Sequence, residues 1–382
     1  MASAYSLIGT KLNYQMRYMF LVFPFLMLAA IVYLAWHLWC LLPLGAGWKS
    51  VVIALGVCAF LLLFLGFARK FDSMPLWLAS TCYEIGTSSI FVMLYMFMMF
   101  LVLDLGRLVR LVPRDWLYAN WTTTGVLAAL LVGIFVYGNL HYNNKVRAHI
   151  ELTTDKPLQK ELKLVMASDL HIGYHNRRSE LARWIDLINA EQPDIVLIAG
   201  DIIDGSMRPI VEEHMAEEFR RLKAPVYACL GNHEYFSGDE AAVQFYKEAG
   251  ICLLRDSVVE VNSIRIIGRD DRMNIRRKSV NELVKAPSGA VGGSYTIVLD
   301  HQPYHLDRTE AAGVDFQFSG HTHHGQVWPI SWITDAIYEC SFGEYQRGKT
   351  RFYVSSGLGI WGGKFRIGTC SEYVVATLKH KE

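Results

Sequence analysis

Four long apolar stretches lie within the first 142 residues, and they constrain the fold more than any other feature of the sequence. They cover residues 18–44, 51–68, 85–103 and 122–142. A helix needs about 20 apolar residues to cross the ~30 Å hydrocarbon layer of a membrane, and each stretch approaches that length. Tryptophans lie towards or just beyond their ends, where an aromatic ring suits the headgroup region. The sequence therefore predicts a four-helix transmembrane region over residues 1–145.

The first stretch is too long for the core of a signal peptide and the pattern repeats, so a cleaved targeting segment is not expected. An even number of spans places both termini on one side. With the N-terminus inside, the inner side carries six basic residues and the outer loops carry four, namely Lys11, Arg17, Arg69, Lys70, Lys145 and Arg147 against Lys49, Arg107, Arg110 and Arg114. The positive-inside rule then predicts a C-terminal domain on the cytoplasmic side.

Ionisable residues are scarce in the apolar stretches. His37 lies within the first stretch, and Glu84 and Asp104 flank the third. An ionisable group at membrane depth is a functional candidate, but these two carboxylates fall at predicted span ends, where water reaches them. We therefore expect no charge pairs inside the spans and no transport pathway.

The overall composition narrows the class of partner. Lys and Arg number 37 against 36 Asp and Glu, which leaves a formal charge of +1 and no basic footprint for a nucleic acid. The seven cysteines show no spacing typical of a disulfide framework or a zinc site. We interpret them as small apolar side chains.

After Lys145, short β-branched runs alternate with polar helical stretches, which is typical of an α/β layered domain. We predict this domain over residues 146–382. The strands are expected at 162–167, 194–199, 225–230, 295–299 and 314–319, and the helices at 177–191, 211–222 and 239–249. Strand ends in α/β sheets open into one crevice, so polar residues that follow different strands are expected to converge.

Four polar motifs follow these predicted strands. They are Asp169-Leu170-His171, Gly200-Asp201-Ile202-Ile203-Asp204, Gly231-Asn232-His233-Glu234 and Gly320-His321-Thr322-His323-His324. Carboxylate oxygens, imidazole nitrogens and amide oxygens are ligands for divalent cations. Two such cations about 3.5–4 Å apart bind the attacking and leaving oxygens of a phosphoryl transfer. Glycine precedes three motifs, where its freedom to adopt positive φ allows a sharp turn.

In this order the motifs resemble the metallophosphoesterase superfamily, also called the calcineurin-like phosphoesterases. The resemblance implies a layered α/β sandwich with two divalent metal ions. It implies that Asp201 bridges the ions, and it assigns the remaining ligands as Asp169, His171 and His323 for the first ion and Asn232, His301 and His321 for the second. His301 follows a predicted strand and precedes Gln302-Pro303, and His305 is the competing candidate for its position.

The resemblance also implies that His233 faces the phosphate as the catalytic acid, while hydroxide held by the cations attacks. Asp204 is expected to orient a ligand histidine. Glu234 and Asp300 are either similar supports or solvated surface charges. For His175 and His324 we favour contacts at the rim or plain exposure. Mn, Zn, Fe and Mg all accept these ligands, and we favour Mn.

The segments Gly320–Pro329 and Gly357–Gly362 look like the membrane-associated bacterial branch, which includes enzymes similar to UDP-2,3-diacylglucosamine hydrolases. His324 departs from that branch, where glycine is expected. The aromatic stretch 328–338 is either core or an apolar lip for acyl chains, and Lys364 and Arg366 are either phosphate contacts or surface charges.

We therefore predict a multi-pass enzyme of the inner cell membrane that cleaves a phosphodiester or diphosphate bond in a phosphorylated lipid or nucleotide-lipid substrate, with the lipid bilayer as its other partner. Two alternatives remain open. One is a membrane transporter or receptor that its phosphoesterase domain regulates, and the other is a phosphoprotein phosphatase with a shallow groove and no aromatic lip. An enzyme that its helices merely anchor is expected to retain activity when residues after about 146 are expressed alone.

Overall fold

The computed structural model describes residues 25–68, 70–286 and 293–381, and these fall into two compact units. We call residues 25–64 and 85–134 the helical unit, and residues 65–84 and 135–381 the sheet unit. The boundary after residue 145 remains a prediction. In the structure, two short segments that precede it belong to the sheet unit.

Four apolar helices begin the described chain. They are α1 (Phe25–Leu41), α2 (Ala46–Phe67), α3 (Leu76–Leu108) and α4 (Trp121–Asn143). Three of them, α2 to α4, are long and apolar enough to cross a membrane, whereas α1 is shorter than a span. The start of the first predicted stretch, residues 18–24, lies outside the described residues.

The helical unit carries its apolar side chains outward as well as inward. Trp48 is 69% exposed and Leu55 is 65% exposed, while Leu34, Leu41 and Phe100 form a buried contact between helices. Helices satisfy their backbone hydrogen bonds internally, so such a surface is stable against lipid tails but not in water.

A polar contact inside the helical unit overturns one expectation. The His37 ring Nε2 lies 3.0 Å from the Asp104 Oδ2 atom, and the Tyr33 hydroxyl donates to the same oxygen at 2.8 Å. Arg107 lies 3.7 Å from the other carboxylate oxygen. The expectation of no charge pairs within the spans was therefore wrong. Polar side chains of this kind join neighbouring helices within membranes, here α1 and α3.

The sheet unit begins within the helices and continues through twelve strands and eight further helices of the described chain. In order these are β1 (Lys145–Thr154), β2 (Leu162–Ala167), α5 (Arg178–Ala190), β3 (Ile195–Ala199), α6 (Arg208–Glu212), α7 (Met215–Phe219), β4 (Val226–Cys229), α8 (Asn232–Ser237), α9 (Asp239–Glu248), β5 (Cys252–Leu253), β6 (Ser257–Val261), β7 (Ile264–Gly268), α10 (Val280–Val284), β8 (Tyr295–Leu299), α11 (Leu306–Ala311), β9 (Phe316–Ser319), α12 (Ile330–Ile337), β10 (Gly343–Arg347), β11 (Thr350–Val354) and β12 (Ser371–His380).

The strands form two six-stranded sheets, ordered β1-β12-β2-β3-β4-β5 and β10-β11-β9-β8-β7-β6. Strands β2 to β5 run parallel, as do β7, β8 and β9. Side chains from both sheets, such as Leu164, Leu197, Ile297 and Phe318, share one fully buried cluster. Helices such as α5 and α9 cover a second cluster on the other side of the first sheet. This is the predicted layered α/β sandwich, and the prediction is confirmed.

The predicted elements match closely with one exception. Strands β2 and β8 have the predicted bounds, but the helix expected at 211–222 is two short helices. His214 lies between them with φ of 53°, a left-handed conformation that cannot continue an α-helix.

Helix ends contribute to the core of the sheet unit. Phe71 and Tyr142 are buried, and the Tyr142 hydroxyl donates to the Asn176 Oδ1 atom at 2.9 Å. The Asn139 amide donates to the Lys364 carbonyl at 3.0 Å. The segments 65–84 and 135–143 are therefore part of this unit's packing and not only links to it.

Candidate metal centre

The polar motifs all lie directly after strands, as the sequence predicts. Asp169 and His171 follow β2, Asp201 follows β3, and Asn232 opens α8 after β4. His301 follows β8, and His321 and His323 follow β9. The strand ends of the two sheets therefore bring side chains from five distant segments to one place.

Most of these residues have unusual backbone conformations. Asp169, His171 and Asp201 have φ of 54°, 45° and 50°, and His321 and His323 have 73° and 48°. Non-glycine residues rarely adopt this left-handed region, and such strain is concentrated at functional sites. Asp and His adopt this region more often than most other non-glycine residues, but the sequence alone does not mark which of them do so.

The glycines at the site act in two different ways. Gly200 has φ of 74°, which fits the predicted turn, but Gly231 and Gly320 do not have positive φ. At these two positions a Cβ atom would collide with the carboxylates of Asp201 and Asp169, respectively. The prediction that all three supply positive φ was wrong, because two of them are needed for close approach instead.

The ligand atoms form two groups that meet at Asp201. Within each of the sets Asp169, His171, His323 and Asp201, His301, His321, the nitrogen and oxygen atoms lie within 4.8 Å of one another. Asp201 Oδ2 lies 3.0 Å from His301 Nε2 and 3.7 Å from His171 Nε2. One carboxylate therefore faces a histidine from each group.

Unsatisfied buried atoms fit cations at this position. Asn232 Oδ1 is buried and has no hydrogen-bond partner among the described residues. Two nitrogens also face each other, because His171 Nε2 lies 3.1 Å from His323 Nε2. A buried acceptor without a donor and imidazole nitrogens that face each other are arrangements that a metal ion satisfies.

The pKa values of the histidines at the site also fit bound cations. Burial lowers the pKa of His321 to about 4 and also lowers that of His323, which leaves their lone pairs free at neutral pH. Burial opposes protonation of His171, but the carboxylates of Asp169, Asp204 and Asp201, at 3.6 to 3.8 Å from its ring nitrogens, outweigh it and raise its pKa to about 10. The surplus negative charge that holds this proton is what divalent cations neutralise.

Surrounding groups hold the ligands in place. His301 Nδ1 lies 2.8 Å from the Ala199 carbonyl, so this nitrogen donates and Nε2 points to Asp201. Glu234 is fully buried and accepts the backbone N–H groups of Gly231, Asp201 and Ile203 at 2.7, 3.1 and 2.9 Å. Glu234 is therefore a support for the site and not a solvated charge.

Asp300 is also buried rather than solvated. Its carboxylate accepts from Arg269 at 2.5 Å and from Arg277 at 2.9 Å. Both arginines therefore hold the residue that precedes His301.

His233 is partly exposed, like His321 and His323. Its Nδ1 lies 2.8 Å from Asp204 Oδ1, and its backbone N–H donates to Asp201 Oδ1 at 2.9 Å. The second oxygen of Asp204 accepts from the Tyr83 hydroxyl at 2.5 Å. Tyr83 belongs to α3 within the sheet unit. The motif search missed it, because an isolated tyrosine in an apolar helix carries no spacing signal.

Several other polar residues occupy places that the sequence did not predict. His175 is fully buried, stacks on Tyr83 and lies 2.6 Å from the Ile360 carbonyl through Nε2, so the expected rim position was wrong. His324 is partly exposed and stacks on Phe342 with 4.8 Å between ring centroids. His305, the competing candidate for the position of His301, is exposed and lies in none of the groups of possible ligands, whereas His301 lies in one.

Neither Lys364 nor Arg366, near the C-terminal end of the domain, is a free surface charge. Arg366 is fully buried and donates to the carbonyls of His323 at 2.7 Å and Gly359 at 3.2 Å. Lys364 lies 2.6 Å from Glu180 and 3.6 Å from Glu84. Both residues are engaged in structural contacts.

The aromatic stretch 328–338 forms α12 and its borders directly after the turn that carries His323. Trp332, Ile333 and Ile337 are 65%, 57% and 60% exposed, and Trp328 is 40% exposed. Tyr338, at the end of this helix, lies 6.2 Å from the His321 ring, centroid to centroid. This stretch is therefore not buried core, and its exposed apolar side is the surface that the lip interpretation requires.

Comparison with known proteins identifies the arrangement. The family model for calcineurin-like phosphoesterases matches residues 162–325. An uncharacterized metallophosphoesterase of Campylobacter jejuni is 30% identical over 263 residues, which cover 67% of this chain and 70% of the relative. The chain belongs to the calcineurin-like metallophosphoesterases. Members of this family are metal-dependent phosphoesterases with a dimetal centre of divalent ions, so this chain is a metal-dependent phosphoesterase.

Two further metallophosphoesterases are similar to this chain, one over nearly its own full length and the other over most of this chain. An uncharacterized member from Aquifex aeolicus is 28% identical over 260 residues, which make up 98% of its length. A transmembrane protein with a metallophosphoesterase domain from Danio rerio is 28% identical over 333 residues, covering 81% of this chain and 75% of its own length. That match is too long for the residues after 145 alone. Together with the three long apolar helices, it indicates that this metallophosphoesterase is a membrane protein.

Proposed function

We propose that this metallophosphoesterase cleaves a phosphodiester or diphosphate bond in a lipid or nucleotide-lipid substrate at a two-cation centre. The observation that carries the proposal is the position of Asp201, whose carboxylate lies between the two groups of ligand atoms.

The proposed ligands combine the two groups of side chains with Asn232, whose buried Oδ1 has no hydrogen-bond partner among the described residues. Asp169, His171 and His323 would hold one cation, His301, His321 and Asn232 would hold the other, and Asp201 would serve both. A bound pair of divalent cations supplies positive charge for the phosphoryl oxygens and lowers the pKa of a water molecule. Carboxylate, amide and imidazole ligands accept Mn, Zn, Fe and Mg, and among these metals we favour Mn²⁺.

His233 supplies the acid. Asp204 fixes its Nδ1 at 2.8 Å, which leaves Nε2 to face the substrate. A proton on Nε2 is then placed for transfer to the leaving oxygen, and the imidazolium form stabilises negative charge on the phosphoryl group. Because Tyr83 holds the other oxygen of Asp204, the orientation of His233 also depends on α3.

The exposed side of α12 supports a lipid substrate. Trp332, Ile333 and Ile337 present apolar surface to solvent, and the helix ends at Tyr338 beside His321. In a protein with membrane-spanning helices, acyl chains are the apolar ligand that such a surface meets. We place the enzyme in the inner cell membrane with its sheet unit on the cytoplasmic side, as the distribution of basic residues predicts.

Purified full-length protein in detergent tests the proposal against nucleotide-lipid diphosphates, lipid phosphodiesters, soluble phosphodiesters, monoesters and a phosphoprotein. We expect Mn²⁺-dependent cleavage of a lipid diester or diphosphate with the highest kcat/KM. Preference for the phosphoprotein would instead favour a protein phosphatase.

A variant of α12 separates the lipid part of the proposal from the chemistry. Trp332→Ser combined with Ile337→Ser is expected to lower the ratio of lipid to soluble-diester hydrolysis, whereas Val211→Ser, an equally exposed apolar residue on α6, leaves the ratio unchanged. If the ratio also stays unchanged in the α12 variant, the lip does not bind acyl chains.

A further inference from the structure

A concave basic pocket lies in the sheet unit. It has a volume of about 800 Å³ and is lined by Arg269, Arg272, Arg277, His305 and Arg308, among others. The loop after β7 and the helix α11 supply these side chains. The metal-ligand motifs do not include any of them.

Two of the arginines have no carboxylate partner. Arg269 and Arg277 bind Asp300, but no described carboxylate lies within 4.0 Å of the guanidinium groups of Arg272 or Arg308. The one acidic residue in the pocket wall, Glu282, instead caps its own helix by accepting from the Ser279 backbone N–H at 2.8 Å. The pocket therefore presents uncompensated positive charge.

The positive charge of Arg272 and Arg308 also affects His305. Burial, together with the neighbouring Arg308 and Arg272 guanidiniums, lowers the pKa of His305. Its imidazole is therefore uncharged at neutral pH, and it is able to donate or accept a hydrogen bond beside two cations.

A second large polar pocket in the same unit shows the contrast. It has a volume of about 1000 Å³ and contains Arg177, Arg178 and Lys364. There each cation has a carboxylate partner, since Arg177 pairs with Glu213, Arg178 with Glu218 and Lys364 with Glu180. That pocket is electrically balanced, whereas the basic pocket is not.

Ring contacts connect the basic pocket with the proposed cation ligands. Arg272 lies over the Tyr304 ring, with 4.0 Å from Cζ to the centroid. Tyr304 contacts Tyr338 with 4.8 Å between centroids, and Tyr338 lies 6.2 Å from His321. From the other direction, Arg269 and Arg277 hold Asp300, the residue before His301. Two sets of contacts therefore connect the pocket wall with His321 and with the residue before His301.

We propose that the basic pocket binds a phosphate group of the substrate that is separate from the phosphoryl group being cleaved. Arg272 and Arg308 supply charge-assisted hydrogen bonds to its oxygens, and His305 supplies a neutral one. The substrate class is therefore a phosphodiester or diphosphate whose headgroup carries a further phosphate. This inference rests on the proposed function, because it places that phosphate relative to the cleaved bond.

Two synthetic substrates test it with full-length, Mn²⁺-loaded protein in detergent. Both are p-nitrophenyl phosphodiesters of hexane-1,6-diol, one with a free terminal hydroxyl and one with a phosphate monoester there. The measured quantity is the ratio of kcat/KM between them. Wild-type protein is expected to prefer the phosphorylated substrate, and Arg272→Gln combined with Arg308→Gln is expected to lower this preference at least roughly tenfold, as the loss of a charged hydrogen bond does.

Arg276→Gln is the matched control, because Arg276 is an exposed arginine of the same loop that does not line the pocket. It is expected to keep the preference. An unchanged ratio in the double variant, or an equal fall in Arg276→Gln, would overturn the inference. Arg308→Gln alone repeats the test if loss of Arg272 disturbs Tyr304.

Calorimetric titration with inorganic phosphate separates this inference from the proposed function. Wild type and Arg276→Gln are expected to bind one more phosphate than the double variant. If no diester is hydrolysed but this difference appears, the proposed function fails and the pocket stands. If diesters are hydrolysed and neither the stoichiometry nor the ratio differs, the pocket proposal fails alone.

Discussion

The helical unit and the sheet unit use the same apolar residue types against opposite surroundings. In the helical unit Leu55 and Trp48 point outward, whereas in the sheet unit Leu164, Leu197 and Phe318 are fully buried. Their buried polar groups differ too. The helical unit has one carboxylate between Tyr33, His37 and Arg107, while the sheet unit gathers Asp169, Asp201 and Asp204 among histidines.

This difference assigns separate roles. A single carboxylate between two helices is satisfied by its neighbours and fixes their packing. Several carboxylates in one place repel one another, and they persist where cations or protons compensate them. The chemistry is therefore expected in the sheet unit, and the predictions that follow test that separation.

The largest effect is expected from Asp201→Asn. The amide cannot bridge two cations with negative charge, so hydrolysis of a chromogenic phosphodiester should fall by at least about a thousandfold. The melting temperature in the presence of detergent should show that the protein stays folded. The matched variant His37→Gln, at the buried contact of the helical unit, should retain hydrolysis. Equal losses in both variants would break the separation between the units.

The second-largest effect is expected to separate the role of His233 from that of His321. His233→Gln is expected to lower kcat roughly a hundredfold or more through loss of the acid, while metal content, measured by plasma mass spectrometry, stays near that of wild type. His321→Gln should lower both kcat and metal content. Identical behaviour of the two variants would contradict the separate roles.

A pH effect is expected from His175, a buried histidine that is not a proposed ligand. Burial lowers its pKa from 6.5 to about 4. The folded state therefore binds fewer protons than the unfolded state between these values. The contribution of His175 to the free energy of unfolding is complete above pH 6.5 and is lost as the pH falls towards 4. The free energy of unfolding then falls by about 1.4 kcal/mol per pH unit at most.

Thermal unfolding of the full-length protein between pH 7 and about pH 4.5 measures this effect. His175→Gln should show a shallower loss of melting temperature on acidification than wild type. Parallel curves would mean that other groups determine the acid sensitivity of the sheet unit.

The smallest effect is expected from Tyr83→Phe, which removes only the hydroxyl bound to Asp204. We expect kcat to fall several-fold, with KM and metal content little changed, because the loss of one hydrogen bond loosens the orientation of His233. Tyr95→Phe, a buried tyrosine of the same helix in the helical unit, is the control. A change in KM alone would argue against a role through His233.

Sequence patterns predicted the positions of ligands better than their surroundings. The strand ends before Asp169, Asp201 and His301 were predicted because apolar runs and polar motifs are local signals. The burial of His175 and Arg366 was not predicted, since it depends on contacts with Tyr83 and with carbonyls far along the chain. Charge and exposure cannot be read from residue type alone.

Two further features depended on tertiary structure. The close approach of Gly231 and Gly320 to carboxylates is set by neighbouring strands, and it has no local signature. The contribution of α3 and α4 to the sheet unit was missed, because residues 122–142 were predicted as one span and residues 76–84, ahead of the predicted stretch 85–103, carry no motif. A fragment that begins at 146 would lack Tyr83 and Tyr142, so full activity is expected only from a protein that keeps both segments.

The central position of β12 has a consequence for biosynthesis. This strand lies between β1 and β2, and Ser371 at its start accepts a hydrogen bond from Arg366, which in turn binds the His323 carbonyl. The ribosome releases residues 371–380 long after the apolar helices have reached the translocon. We therefore expect a nascent chain to enter the bilayer before its first sheet is complete, and we expect hydrolysis only after this late strand has inserted.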